Sequence, residues 1–167
     1  MRLREHPVVA FVGLGGNVGP VRERLQAVIA GFDRLPGTRL LRASRLYRTA
    51  PWGLQAQPDF VNAVAMLATS LPAPELLLRL HAIEREHGRD RAREPRWGPR
   101  TLDLDLLLHG DAVIDTPGLQ LPHPRMRDRA FVLLPLAEIA PDAIVPGLGR
   151  VDALAAAMAG DGVEAIG

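Results

Sequence analysis

Two aspartates separated by one leucine, Asp103 and Asp105 in the run from Thr101 to Leu106, follow directly on an arginine-rich stretch. Leu102, Leu104 and Leu106 alternate with the two acids. That is the period of a strand, which sends the leucines to a core and both carboxylates to the opposite face, about 7 Å apart. Strands are depleted in Asp and like charges on one sheet face repel, so the pair calls for a reason. A divalent cation supplies one. Mg²⁺ takes oxygen ligands, commonly one or two carboxylates plus substrate phosphates, whereas Ca²⁺ asks for more oxygens than this segment has. The competing reading is an amphipathic edge strand with a solvated acidic face.

Seven arginines occur from Arg79 to Arg100, interrupted by Gly88, Pro95, Gly98 and Pro99. A loop of this composition is cationic, and the planar guanidinium fork grips phosphate oxygens bidentately and stabilises charge that develops during transfer. Glu84, Glu86, Asp90 and Glu94 are interleaved, so Arg85, Arg93 and Arg96 read as members of a salt-bridged surface. Arg89 and Arg100 lead into or out of turn residues and are the better candidates for phosphate.

Composition limits the remaining chemistry. The chain has 167 residues, 47% of them apolar, enough for one domain with a hydrophobic core. There is no cysteine, which rules out disulfides, thiolate metal sites and a cysteine nucleophile. All 20 basic residues are arginine and the net charge is +1, from which no function follows; no nucleic-acid partner is expected. The charged start, Met1 to Pro7, does not resemble a signal peptide, and no apolar run approaches the about 20 residues needed to span a bilayer. A cytoplasmic protein with no membrane partner is the expectation.

The elements that must position these residues follow from periodicity. Val8 to Leu14 reads as a buried strand bounded by Pro7 and Gly15-Gly16. Val21, Leu25, Val28, Ile29 and Phe32 recur at helical spacing over residues 20–34, and Arg39 to Arg48 reads as a strand. A proline-rich loop follows from Thr49 to Pro58, then a strand from Phe60 to Thr69, a helix from Pro74 to His87 and the acidic strand from Thr101 to Leu108. The order strand, helix, strand, strand, helix, strand predicts an α+β, ferredoxin-like βαββαβ sandwich, with one sheet face under two helices and the other available to the aspartates. Beyond it the sequence predicts a ribbon from Val113-Ile114 and Leu119 to Leu121, and helices over Phe131 to Ile139 and Val151 to Met158. Residues 1–167 read as a single domain.

Five motifs in order then carry a family resemblance: Gly13-Leu14-Gly15-Gly16-Asn17, Tyr47 to Pro51, Gln57 to Asn62, Arg96 to Leu106, and Leu121 to Met126. With these the chain resembles the 6-hydroxymethyl-7,8-dihydropterin pyrophosphokinases of folate biosynthesis. The resemblance implies a ferredoxin-like fold and transfer of pyrophosphate from ATP to the pterin hydroxymethyl group with release of AMP. It implies that Asp103 and Asp105 hold two Mg²⁺ ions on the ATP phosphates, with Arg89 and Arg100 as catalytic arginines. ATP contacts would come from Glu84, Arg91, Trp97, His123 and Arg129. The pterin would lie between Phe60 and Phe131, with Asn62, Thr49, Ala50 and Trp52 along its edge. Without the resemblance Phe60 and Phe131 read as ordinary core, and His123 as a structural residue between two prolines. Gly16, Ala50, His81 and Pro124 depart from residues common in the family, and no implied metal ligand is lost. A monomer whose partners are only these two substrates is expected.

Two other readings share the predicted fold. One is a metal-dependent nucleotidyl transferase, whose palm also carries two aspartates. The other is an RRM-like module, which needs aromatic sheet positions where this chain has Asp-Leu-Asp.

Overall fold

The computed structural model describes residues 3–50, 56–89, 99–158 and 162–167. The apolar run forms β1 (Val8–Gly16), which is followed by α1 (Val21–Gly31) and a 3-10 turn that buries Phe32. Next come β2 (Thr38–Ala43), β3 (Tyr47–Thr49), β4 (Phe60–Thr69), α2 (Ala73–Glu86) and β5 (Asp103–His109). A ribbon of β6 (Ile114–Thr116) and β7 (Leu119–Leu121) precedes α3 (Ala130–Ile139). The chain closes with β8 (Ile144–Val145), β9 (Gly149–Arg150), α4 (Val151–Ala156) and β10 (Val163–Ala165).

β1 is an interior strand of the main sheet and pairs antiparallel with both β4 and β5. The order across the sheet is β10-β3-β4-β1-β5, with β2 also paired to β4. Leu25 and Val28 of α1 and Leu76 and Leu80 of α2 pack on Val12, Leu14, Leu67 and Leu104 of one face. Leu102, Leu104 and Leu106 are 0, 0 and 3% exposed. Burying each leucine contributes about 1.5–3 kcal/mol, against about 0.2–1 kcal/mol for an unfavourable like-charge neighbour. The leucines therefore fix the phase of β5, and the aspartates follow.

Two expectations are corrected, and one strand is added that the sequence did not predict. The strand predicted over Arg39 to Arg48 is divided in two. Ser44 pairs with Val64 through its N–H and its hydroxyl, both at 2.9 Å, and the Arg45 N–H turns to the Glu138 carboxylate at 2.9 Å, so a side chain takes the place of a ladder partner. The second sheet face is only partly available. Phe11, Val64 and Leu107 form a second core there with Val132, Leu133 and Leu136 of α3 and Val151 of α4, and Asp103 and Asp105 lie outside this cluster. The glycine-rich tail, which gave no strand signal, returns as β10 along β3.

At the far end of β5, His109 is 3% exposed and its Nε2 lies 2.8 Å from the Leu71 carbonyl, so the neutral ring donates. Burial, with the Arg4 charge adding to it, holds this imidazole below the usual histidine range despite the bond to Leu71. The unfolded chain then takes up a proton below about pH 6.5 that the folded chain refuses, so acid disfavours folding through this group, while above that pH its stability is fully present. Unfolding free energy measured in urea from pH 7.5 to 5.5 should fall less steeply in a His109→Gln protein, which keeps a donor to Leu71 and does not titrate.

Candidate active site

Sheet register assembles the site. Gly15 of β1 is opposite Asp103 on one side and Asn62 on the other, and Asn62 in turn is opposite Tyr47. Gly13 is opposite Asp105 and Val64, and Thr49 is opposite Phe60. Directly paired residues share a face, so the two carboxylates and the Asn62–Thr49 group stand on one side of the sheet, with glycines between them. Those glycines make a floor without side chains. A Cβ at Gly15 would lie 2.7 Å from the Asn62 Oδ1, and one at Gly16 would lie 2.7 Å from the Thr101 carbonyl oxygen.

On the strand-edge side of this trough, Asn62 is 7% exposed and its Nδ2 donates to the Thr49 hydroxyl at 3.3 Å. Ala50 is exposed, and Phe60 and Phe131 are each half-buried. The Arg129 guanidinium lies 5.4 Å from the Phe131 ring centroid, within cation–π range.

On the other side, the Asp103 and Asp105 side chains are 33 and 26% exposed. Among the described residues no group of three or more His, Asp or Glu side chains converges as a metal cage. Two carboxylate oxygen donors without a cage suit Mg²⁺, which completes its shell with water and substrate phosphate, and do not suit Ca²⁺. The His123 Nε2 lies 3.9 Å from an Asp105 carboxylate oxygen, and its Nδ1 accepts the Arg125 N–H at 3.2 Å. Burial, reinforced by the Arg129 charge, lowers the His123 pKa to about 4. The ring is neutral near pH 7, and with Nδ1 accepting, its proton sits on the Nε2 that faces Asp105.

Glu84 and Arg89 form the base of the site. Glu84 is 2% exposed, and its Oε2 accepts the Arg89 Nη1–H at 3.1 Å and the Leu104 N–H at 2.7 Å. The Arg89 guanidinium also donates to the Leu102 carbonyl at 3.2 Å and to an Asp103 carboxylate oxygen. Glu84, which the resemblance implies as an ATP contact, is thus buried beneath Arg89, where it braces β5. A Glu84→Gln protein should unfold with about 2 kcal/mol less free energy in urea, because an amide still accepts hydrogen bonds but no longer neutralises the buried guanidinium.

Sequence reasoning missed the role of Asn17. It is 3% exposed, and it bonds Arg100 twice through the backbone: the Arg100 N–H donates to Asn17 Oδ1 at 2.8 Å, and the Asn17 N–H donates to the Arg100 carbonyl at 2.9 Å. Its Nδ2 donates to Gln57 Oε1 and to the Pro58 carbonyl, both at 2.9 Å. Arg24 adds a bond to the Thr101 carbonyl at 2.9 Å. Asn17 therefore ties the Arg100 backbone to the segment that leads into Phe60. Its only sequence signal was an asparagine directly after two glycines. Trp52, Arg91 and Trp97 lie outside the described residues.

Comparison with known proteins places the chain in a family. Residues 11–141 match the family model described as 7,8-dihydro-6-hydroxymethylpterin-pyrophosphokinase. A Pseudomonas aeruginosa protein named 2-amino-4-hydroxy-6-hydroxymethyldihydropteridine pyrophosphokinase is 49% identical over 154 residues, covering 92% of this chain and 94% of its own. Bacillus subtilis has a protein of the same name, 43% identical over 131 residues and covering 78% of this chain and 77% of its own. The fold is similar to a crystal structure of Plasmodium falciparum HPPK-DHPS with pteroate, with a TM-score of 0.70 at 12% identity over 93% of this chain. The chain spans 43% of that longer polypeptide. A match running from β1 through α3, joined to relatives of the same length and name, establishes that this chain belongs to the 7,8-dihydro-6-hydroxymethylpterin pyrophosphokinase family.

Proposed function

We propose that the glycine-floored trough binds ATP beside Asp103 and Asp105 and 6-hydroxymethyl-7,8-dihydropterin beside Asn62 and Thr49. Pyrophosphate passes from the first to the second and AMP is released. The observation that carries this is the register of β5, β1 and β4, which puts two carboxylates and a buried amide on one face with only Gly13 and Gly15 between them.

The pterin hydroxymethyl oxygen attacks the β-phosphorus and loses its proton to solvent as the new bond forms there, and the bond from that phosphorus to the α-phosphate oxygen breaks, that oxygen leaving on AMP. Little covalent work falls to the protein, so its residues act by positioning and by neutralising charge. Two Mg²⁺ ions, held by Asp103 and Asp105 and by the ATP phosphates, would supply electrostatic stabilisation of the transferring group. Arg100, its backbone pinned by Asn17, aims its guanidinium at the phosphates. Arg89, held by Glu84 and the Leu102 carbonyl beside Asp103, serves as the second catalytic arginine. His123 and Arg129, with Arg91 and Trp97, add nucleotide contacts. Phe60 and Phe131 stack on the pterin, at about 0.5–1.5 kcal/mol for each aromatic pair beyond burial. Asn62 reads its edge, with Thr49, Ala50 and Trp52 completing that side.

The core order β5-β1-β4-(β2, β3), with α1 and α2 on one face, supports the ferredoxin-like reading, β2 and β3 being two pieces of one strand. The chain acts as a single-domain cytoplasmic monomer. The nucleotidyl-transferase and RRM-like readings are not favoured, since relatives at 42–49% identity carry the pyrophosphokinase name.

Product analysis after incubation with ATP, Mg²⁺ and the pterin tests the reading. AMP and pterin pyrophosphate should form only in the complete mixture. ADP in their place, or no turnover by folded protein, would overturn it.

A further inference from the structure

Away from the phosphate side, one carboxylate joins the helix that carries Phe131 to the strand that carries Thr49. Glu138, on α3, accepts a hydrogen bond from the Tyr47 hydroxyl, from the Arg45 backbone N–H at 2.9 Å and from the Arg45 Nε at 3.2 Å. Tyr47 is 7% exposed, is opposite Asn62 in the sheet, and is two residues from Thr49 along one face of β3. Glu138 follows Phe131 by seven residues, so the two share a face of α3 about 10 Å apart.

The placement of Glu138 has a cost. It stands in the last turn of α3, where the helix dipole disfavours an anion. The bonds from Tyr47 and Arg45 offset this, and they outweigh burial to hold the Glu138 pKa below the usual carboxylate range. Burial, together with the bond to Glu138, raises the Tyr47 pKa, so the phenol remains a donor at neutral pH. Apolar contacts already pack α3 on the sheet through Val132, Leu133 and Leu136. Such packing holds the helix down but is not directional. A charged hydrogen bond at the end remote from Phe131 adds direction: it sets where the helix stands relative to β3.

We infer that Glu138, acting through Tyr47, is a positioning residue for the flat heteroaromatic substrate, fixing the gap between the Phe131 wall and the Thr49–Asn62 wall. This rests on the pterin reading of the trough. Ring stacking depends on offset and separation, so a small pivot of α3 weakens substrate binding while the carboxylates of β5 keep their geometry.

The test compares Tyr47→Phe, Glu138→Ala and Glu138→Gln with the wild-type enzyme. Two dissociation constants are measured with Mg²⁺ present: that of a non-hydrolysable ATP analogue, and that of 6-hydroxymethyl-7,8-dihydropterin with the analogue bound. Tyr47→Phe and Glu138→Ala should weaken pterin binding about tenfold and change analogue binding by less than about twofold, and Glu138→Gln, whose amide oxygen still accepts from Tyr47 but whose NH2 cannot accept the Arg45 N–H, should recover part of the loss. Equal weakening for both ligands would reduce the contact to general stability and overturn the inference. So would unchanged pterin affinity in Tyr47→Phe, which loses one oxygen and keeps its ring, and which decides the matter should Glu138→Ala fail to fold. A wild-type protein that makes no AMP would instead remove the underlying pterin reading, and this inference with it.

Discussion

An Asp105→Asn protein is expected to fold as the wild type does and to lose turnover by about a thousandfold, which is the several kcal/mol that metal-ion charge stabilisation supplies in such a transfer. Folding should survive because Leu104 and Leu106, on the opposite face, anchor the strand, and because asparagine removes the repulsion between Asp103 and Asp105. Asp105 is the cleaner choice of the two. Asp103 receives the Arg89 guanidinium, so its replacement also disturbs the buried Glu84–Arg89 pair. The measurement is AMP release in a single turnover, over a range of Mg²⁺ concentrations, with thermal unfolding alongside. Turnover that recovers partly at high Mg²⁺ would show a weakened metal site. Activity within about tenfold of wild type at all Mg²⁺ concentrations would remove the carboxylate pair from the metal reading.

The position of these carboxylates was legible in the sequence because strand period is local. Leu102, Leu104 and Leu106 can be buried together in one phase only, and that phase places both acids on the other face. β4 was legible for the same reason, and its bounds, Phe60–Thr69, match the run of apolar residues. What local pattern could not give were features settled by distant partners. The break between β2 and β3 depends on Glu138 meeting the Arg45 N–H across 93 positions of chain. β10 is a strand because β3 offers it an edge, and a glycine-rich tail carries no sign of that. The second core beneath α3 was hidden because Phe11, Val64 and Leu107 read equally well as members of the first.

Within the site, residue type was a better guide than residue role. An acid near an arginine loop could be read as a nucleotide contact, and only the fold shows the Glu84 carboxylate receiving Arg89 and the Leu104 N–H from beneath. Asn17 drew attention as part of a glycine turn. Its work, joining Arg100 to the Gln57–Pro58 segment, needs three pieces of chain that are remote in sequence.

Arg100→Ala should lower kcat by about a hundredfold or more, the usual loss when one group that stabilises transition-state charge is removed, while pterin affinity changes by less than about threefold. The separation is expected because the backbone of Arg100 is held independently of its side chain. Asn17 takes both its N–H and its carbonyl, so truncation leaves the chain path into β5 and the Asp103 register in place. Loss of kcat and kcat/KM together, with unchanged pterin binding, would assign the guanidinium to the transition state. Arg100→Lys adds a graded comparison: an ammonium restores charge but not the planar fork, so it should recover about tenfold and stay below wild type. If Arg100→Ala instead keeps full kcat, Arg100 contributes only its backbone, and the arginine share of charge neutralisation in the transfer falls to Arg89, which Glu84 holds beside Asp103.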